Sequence, residues 1–155
     1  MTYALVKWLH ILSAVAMFGA GIAFVVLKLR QGGNRDAGFA VRLDRGILAT
    51  ELLLVAPAVA VQVATGWWLG RQAGLPVDTP WLFRGIALFG LAGVCWLAGV
   101  WLETRMLQLA RAALARQAAL PGEYRRARTT WLWLHAAIAV ITVVVFWLMT
   151  LKPLP

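Results

Sequence analysis

The sequence predicts an all-α fold: an integral membrane four-helix bundle with both termini outside the cytoplasm and a third helix that runs on into it. Three observations carry that expectation. The chain is 62% hydrophobic and 14% charged, with a mean hydropathy of +0.77, whereas a soluble domain is about half apolar and about a quarter charged. Its apolar residues fall into four stretches, each near the roughly 20 residues a helix needs to cross a hydrocarbon core about 30 Å thick. Of its 15 Lys and Arg residues, 11 gather in two of the segments between those stretches.

The 155 residues form a single transmembrane domain, 1–155, with spans at Ala4–Leu27, Ile47–Leu69, Trp81–Leu102 and Thr130–Leu151. The first stretch exceeds the ~7–15 residues of a signal-peptide core and ends in Lys28 and Arg30, so it reads as a retained span. The first linker, Lys28 to Arg45, carries the turn Gln31-Gly32-Gly33-Asn34. The second, Gly70 to Pro80, carries Gly74, Pro76 and Pro80. The third helix is expected to continue through Arg105 to Leu120, a run rich in good helix formers, until Pro121-Gly122 stops it.

Orientation follows from the positive-inside rule. Linkers one and three hold 11 of the 15 basic residues: Lys28, Arg30, Arg35, Arg42 and Arg45 in the first, and Arg105, Arg111, Arg116, Arg125, Arg126 and Arg128 in the third. Both termini are then periplasmic, in a bacterial inner membrane. The net charge of +9 is thereby assigned to topology and the lipid surface, and not to nucleic acid. Tryptophans mark the boundaries: Trp8, Trp67, Trp68, Trp81 and Trp147 on the outer side, and Trp101, Trp131 and Trp133 on the inner. The lone Cys95 excludes an internal disulfide and any CxxC metal site.

Ionisable residues inside a span are costly and are therefore the functional candidates. They are His10, Glu51, His135 and, close to a boundary, Arg84. On the first helix His10, Ser13, Ala14, Met17, Gly21 and Phe24 recur at steps of three and four and share a small or polar face. A histidine flanked by small residues suits haem ligation, and it equally suits a packed histidine bonded to a neighbouring helix. On the second helix Glu51, Ala58, Gln62 and Thr65 share a face, and Pro57 leaves the Leu53 carbonyl free. Glu51 has two readings, snorkelling toward Arg45 or relaying protons; His135 lies at a similar depth, where a carboxylate–imidazole pair would satisfy both. His10 and His135 differ in depth by roughly 12 Å at 1.5 Å per residue, which favours His10 with another partner over one haem held by both histidines.

Several strings resemble a known family. Cys95-Trp96-Leu97, Glu103-Thr104-Arg105-Met106, Leu120-Pro121-Gly122-Glu123-Tyr124-Arg125-Arg126 and Phe146-Trp147-Leu148-Met149 with Lys152-Pro153 look like the bacterial integral membrane proteins grouped as domain of unknown function 2269. Thr65-Gly66-Trp67-Trp68-Leu69 and Pro80-Trp81-Leu82 fit as well. That resemblance covers nearly the whole chain and implies four helices without an activity. Lys7-Trp8-Leu9-His10, Pro57 with Gly66-Trp67-Trp68-Leu69, and Lys152-Pro153 are more distantly similar to HemJ-type protoporphyrinogen oxidases, whose first-helix histidine is a proposed haem ligand. Where that group has a functional lysine, this chain has Phe83-Arg84-Gly85, and arginine does not readily give up its proton. The likeness therefore implies the scaffold and haem site rather than the oxidation.

Three functional expectations follow. The leading one is haem b bound through His10, with Arg84 near a propionate and His135 as the other candidate ligand, in a redox or haem-related role. A second is a cofactor-free accessory or assembly subunit, as a homo-oligomer or within a membrane complex, helped by the close-packing faces of Gly90, Gly93 and Gly99. A third is a proton or small-solute pathway through Glu51 and His135.

Overall fold

The computed structural model describes residues 1–152; Pro153 of the terminal motif lies outside them. Among the described residues there are five α-helices and one π-turn: α1 (Thr2–Gln31), α2 (Ala37–Thr50), the π-turn Glu51–Val55, α3 (Ala56–Gln72), α4 (Pro80–Ala115) and α5 (Gly122–Leu151). The segment from α2 through α3 is one continuous span, so four helices are long and apolar enough to cross a membrane. Their outward faces are apolar: Leu53 is 80% exposed and Trp133 73%, as expected of side chains that lie in lipid.

The linkers are shorter than the sequence suggests, because helices run into them. α1 continues to Gln31, α2 begins at Ala37 and α5 begins at Gly122. Only residues 32–36 separate the first two helices. The Asp36 side chain caps α2 by accepting from the Gly38 N–H at 2.9 Å, as an N-cap acid does. Arg128 reaches across from α5 to donate to the last carbonyls of α1, at Lys28 and Gly32. The extension of α4 is present and stops at Ala115 rather than Leu120, where Gln117 takes a φ of 52° and turns the chain. At 1.5 Å per residue its 36 residues outreach a ~30 Å core by roughly 24 Å.

Both termini lie at one end of the bundle, with the α3–α4 loop. Tyr3 meets Trp68 at 6.2 Å between ring centroids, and the Lys152 ammonium lies 5.7 Å from the Trp81 ring centre. The arginine-rich loops occupy the opposite end.

The π-turn governs the layout. It closes with an i→i−5 bond from the Ala56 N–H to the Glu51 carbonyl. Pro57 follows at once, and a proline ring in a helix interior clashes with the carbonyl one turn back; a widened turn relieves that contact. The span's two halves then choose different partners. α2 packs chiefly on α4, and α3 chiefly on α1. α4 and α5 form the closest pair, while α3 and α4 make no comparable contact among the described residues. The half of the bundle near the termini is thus two helix pairs, α1/α3 and α4/α5, with space between them. The arginine-rich half is closed by Ala40, Ile47, Met106, Ala110, Tyr124 and Trp131, all at most 2% exposed.

Candidate functional site

Three polar groups lie along the bundle axis. Nearest the arginine-rich end is a buried ion cluster. Lys28 on α1 is fully buried and donates to Asp44 Oδ1 of α2 at 2.6 Å, while Glu103 Oε1 of α4 lies 2.9 Å from the same ammonium. Tyr124 of α5 donates its hydroxyl to Asp44 Oδ1 at 3.0 Å and accepts from Gln31 Nε2 at 2.9 Å. Trp131 places its ring centre 5.6 Å from the ammonium. One lysine therefore ties four helices together. Lys28 is not the exposed flank of a span that the sequence suggested, and Asp44 and Glu103 are fully buried beside it.

The second group is Glu51 with His135. Glu51 is fully buried, and His135 Nε2 is 3.7 Å from its Oε1. The Nδ1 of His135 donates to the Trp131 carbonyl, one turn back, at 3.0 Å, so Nε2 is the nitrogen directed at the carboxylate. Trp131 stacks on the imidazole at 3.6 Å between centroids. On the other side Gly99 supplies the room: a methyl group there would stand 2.8 Å from His135 Cε1. Neither Glu51 oxygen has a hydrogen-bond donor among the described residues. Glu51 turns inward to this pair and not outward toward Arg45.

The third group surrounds His10. Thr65 gives its own proton to the Val61 carbonyl, so its oxygen accepts from His10 Nδ1 at 2.9 Å. The Gln62 amide then donates to His10 Nε2 at 3.0 Å, and Ser13 donates to Gln62 Oε1. Both ring nitrogens are occupied, and Gly66 closes over Cε1, where a methyl group would stand at 3.1 Å. Arg84 is exposed and makes no ion pair among the described residues.

Between the second and third groups lies a cavity of about 240 Å³. Its wall is apolar and in part aromatic, with Phe18, Phe24, Phe89, Trp96 and Phe146. Glu51 and His135 form its polar end toward the arginine-rich side, and Gln62 stands toward the other. His10 does not reach it; Gln62 stands between. At the rim, Ile22 and Val26 are exposed, while Val59, Gln62, Phe89 and Gly93 are half-buried, so the cavity opens to the bilayer. Trp96 also leaves its indole N–H without an acceptor. Among the described residues no group of His, Cys, Asp and Glu is arranged to hold a bare metal ion.

Sequence reasoning singled out Glu51 and His135 of the second group and His10, Ser13, Gln62 and Thr65 of the third; it read Trp131 as a boundary residue and Gly99 as a helix contact, and it did not find the cluster of Lys28, Asp44, Glu103 and Tyr124. The signal was there: the inward stripe of α1 that ends at Phe24 continues at the same spacing to Lys28 and Gln31. Comparison with curated proteins and with solved structures gives no match. The family described as "Predicted integral membrane protein (DUF2269)" matches residues 4–153, and the chain belongs to that family of integral membrane proteins.

Proposed function

We propose that this protein binds a lipophilic small molecule within the membrane, in the cavity between its two helix pairs, with Glu51 and His135 holding the molecule's polar end. The observation that carries this reading is Glu51: a fully buried carboxylate on the cavity wall whose oxygens both lack a donor. A buried polar group left unmet costs about 1–3 kcal/mol, and a charged one more. A ligand's hydrogen-bond donor answers that demand, and the aromatic wall accommodates an apolar body. A single proton between His135 Nε2 and Glu51 would serve both groups, so the pair is also suited to exchange a proton with what it binds.

The test is to purify the chain in mild detergent, extract it with organic solvent and identify co-purified lipophilic molecules by mass spectrometry. Gly93 lines the cavity and a Cβ added there meets nothing within 4 Å, so Gly93→Leu is the variant directed at filling it. The expected result is a stoichiometric small molecule in the wild type and its loss in Gly93→Leu. An empty wild type would overturn the reading and leave the cofactor-free accessory role, alone or with copies of itself.

The same reading places the chain in a bacterial inner membrane with periplasmic termini, supported by the arginines at the opposite end. Single cysteines at Thr2 and Arg116 in a Cys95→Ser background test it. An impermeant maleimide added to intact spheroplasts is expected to label the first and spare the second.

Haem b on His10 is a second reading, favoured by one feature. Thr65 fixes Nδ1 as the protonated nitrogen, as hydrogen bonds do in ligating histidines. The site as folded does not fit the group. Nε2 already accepts from Gln62, and His10 does not line the cavity, so no open space adjoins the nitrogen that would meet the iron. A Soret band lost in His10→Ala would restore this reading; colourless protein from haem-replete cells removes it.

A further inference from the structure

The unmet polar atoms of the cavity specify more than a lipophilic ligand. Glu51 supplies two acceptor oxygens without donors, and Trp96 supplies one donor without an acceptor. Trp96 precedes Gly99, the residue against His135, by one turn of α4, about 4.5 Å along the axis. Trp96 lines the cavity about one helical turn from the carboxylate–imidazole pair. One donor demanded and one acceptor demanded among the residues that line one cavity is the complement of a hydroxyl group. Hydroxyls give a proton and accept one at the same atom, whereas a ketone, ether or ester only accepts.

The body of the ligand is constrained as well. Phe18 and Phe146 meet edge to face at 5.6 Å on the wall, and Phe24, Phe89 and Trp96 add further flat surfaces. Planar walls favour a planar ring in stacked or edge-on contact. A cavity of ~150 Å³ accommodates benzene, so 240 Å³ admits a substituted ring and the first carbons of a chain. The rim at Ile22 and Val26 lets the rest of that chain continue into lipid.

We propose that the ligand is a ring hydroxyl compound with an apolar tail, of the phenol or hydroquinone class, whose O–H donates to Glu51 and whose oxygen accepts from the Trp96 indole N–H. This rests on the ligand-binding reading above and names its substrate class. The Glu51 side chain sets the discrimination, and Trp96 adds to affinity through both its N–H and its face.

The probe is a decyl-substituted hydroquinone, kept reduced under argon, titrated calorimetrically into the full chain in detergent. Its dimethyl ether has the same ring and tail without a donor, and dodecanol has the hydroxyl without the ring. The hydroquinone is expected to bind about tenfold more tightly than either, the size of one well-made hydrogen bond. Glu51→Ala should erase the preference over the ether, Trp96→Phe should weaken the hydroquinone several-fold, and Gly93→Leu should block all three. Equal binding of the ether overturns the hydroxyl assignment, and equal binding of dodecanol overturns the ring. If no probe binds while wild-type protein still yields an extractable molecule that Gly93→Leu lacks, this inference fails and the ligand-binding reading stands. If that extract is also empty, both fail. The ether comparison uses unaltered protein, so misfolding of a variant cannot decide it.

Discussion

His135 Nε2 meets Glu51 Oε1 at 3.7 Å because the imidazole has one place to go. Trp131 covers one side of the ring, the Trp131 carbonyl holds Nδ1 at 3.0 Å, and the missing side chain of Gly99 leaves the space it fills. Small residues at helix contacts let backbones approach in a bilayer, where apolar packing alone distinguishes protein from lipid poorly. At Gly99 that vacancy serves a histidine and not a second backbone.

Replacing Gly99 with alanine is therefore expected to reach the site. The new methyl would stand 2.8 Å from His135 Cε1, closer than carbon atoms tolerate, and the ring must move away from Glu51. Overpacking of this kind costs about 1–3 kcal/mol. Thermal unfolding in detergent should show the loss, accompanied by weaker retention of the proposed ligand. Gly90→Ala is the control, since a methyl there meets nothing within 4 Å and only helix propensity changes. Equal effects at the two glycines would mean that His135 is not confined by Gly99.

The ion cluster predicts a larger effect. Lys28, Asp44 and Glu103 are all fully buried, and removing one partner of a buried pair leaves uncompensated charge, at about 3–5 kcal/mol. Lys28→Met should cost that much in chemical unfolding. In the double variant Lys28→Met with Asp44→Asn, the two costs should fall short of additive by about 0.5–3 kcal/mol, as expected of residues in one network. Additive losses would show that Lys28 and Asp44 act separately.

How much of this was legible differs from group to group, for a physical reason. Spans were read from apolar length, which depends only on local composition, and four helices of that kind are present. Inward faces were read from helical spacing: Ser13 and Gln62 on those faces bond to each other, and Glu51 and His135 stand at one depth. Lys28 was misread because a lysine at the end of an apolar stretch marks the lipid boundary whenever nothing beyond it is folded. Here α1 runs on to Gln31, and α2, α4 and α5 surround it. Asp44, Glu103 and Tyr124 lay outside the apolar windows for the same reason. The strings that carry the family likeness contain Glu103, Met106 and Tyr124, which the fold gathers around Lys28. The cavity was beyond reach, because it depends on which helices pair, and that depends on the π-turn before Pro57.

His10 gives the last test. Thr65 donates to the Val61 carbonyl, so its free lone pair fixes the proton of His10 on Nδ1 and leaves Nε2 to accept from Gln62. Valine has the shape of threonine without the acceptor. Thr65→Val should therefore leave Nδ1 unmet in a half-buried site, at about 1–3 kcal/mol, and its imidazole nitrogens should lose the fixed tautomer pattern in a nitrogen-15 spectrum. Thr150→Val is the comparison: that hydroxyl is exposed and, among the described residues, bonds only to the Phe146 carbonyl of its own helix, at 2.7 Å, so its loss should stay within about 0.5 kcal/mol. An unchanged tautomer pattern in Thr65→Val would show that Gln62 alone orients the ring. In that case the Gln62 contact on Nε2, and not Thr65, fixes the proton of His10 on Nδ1.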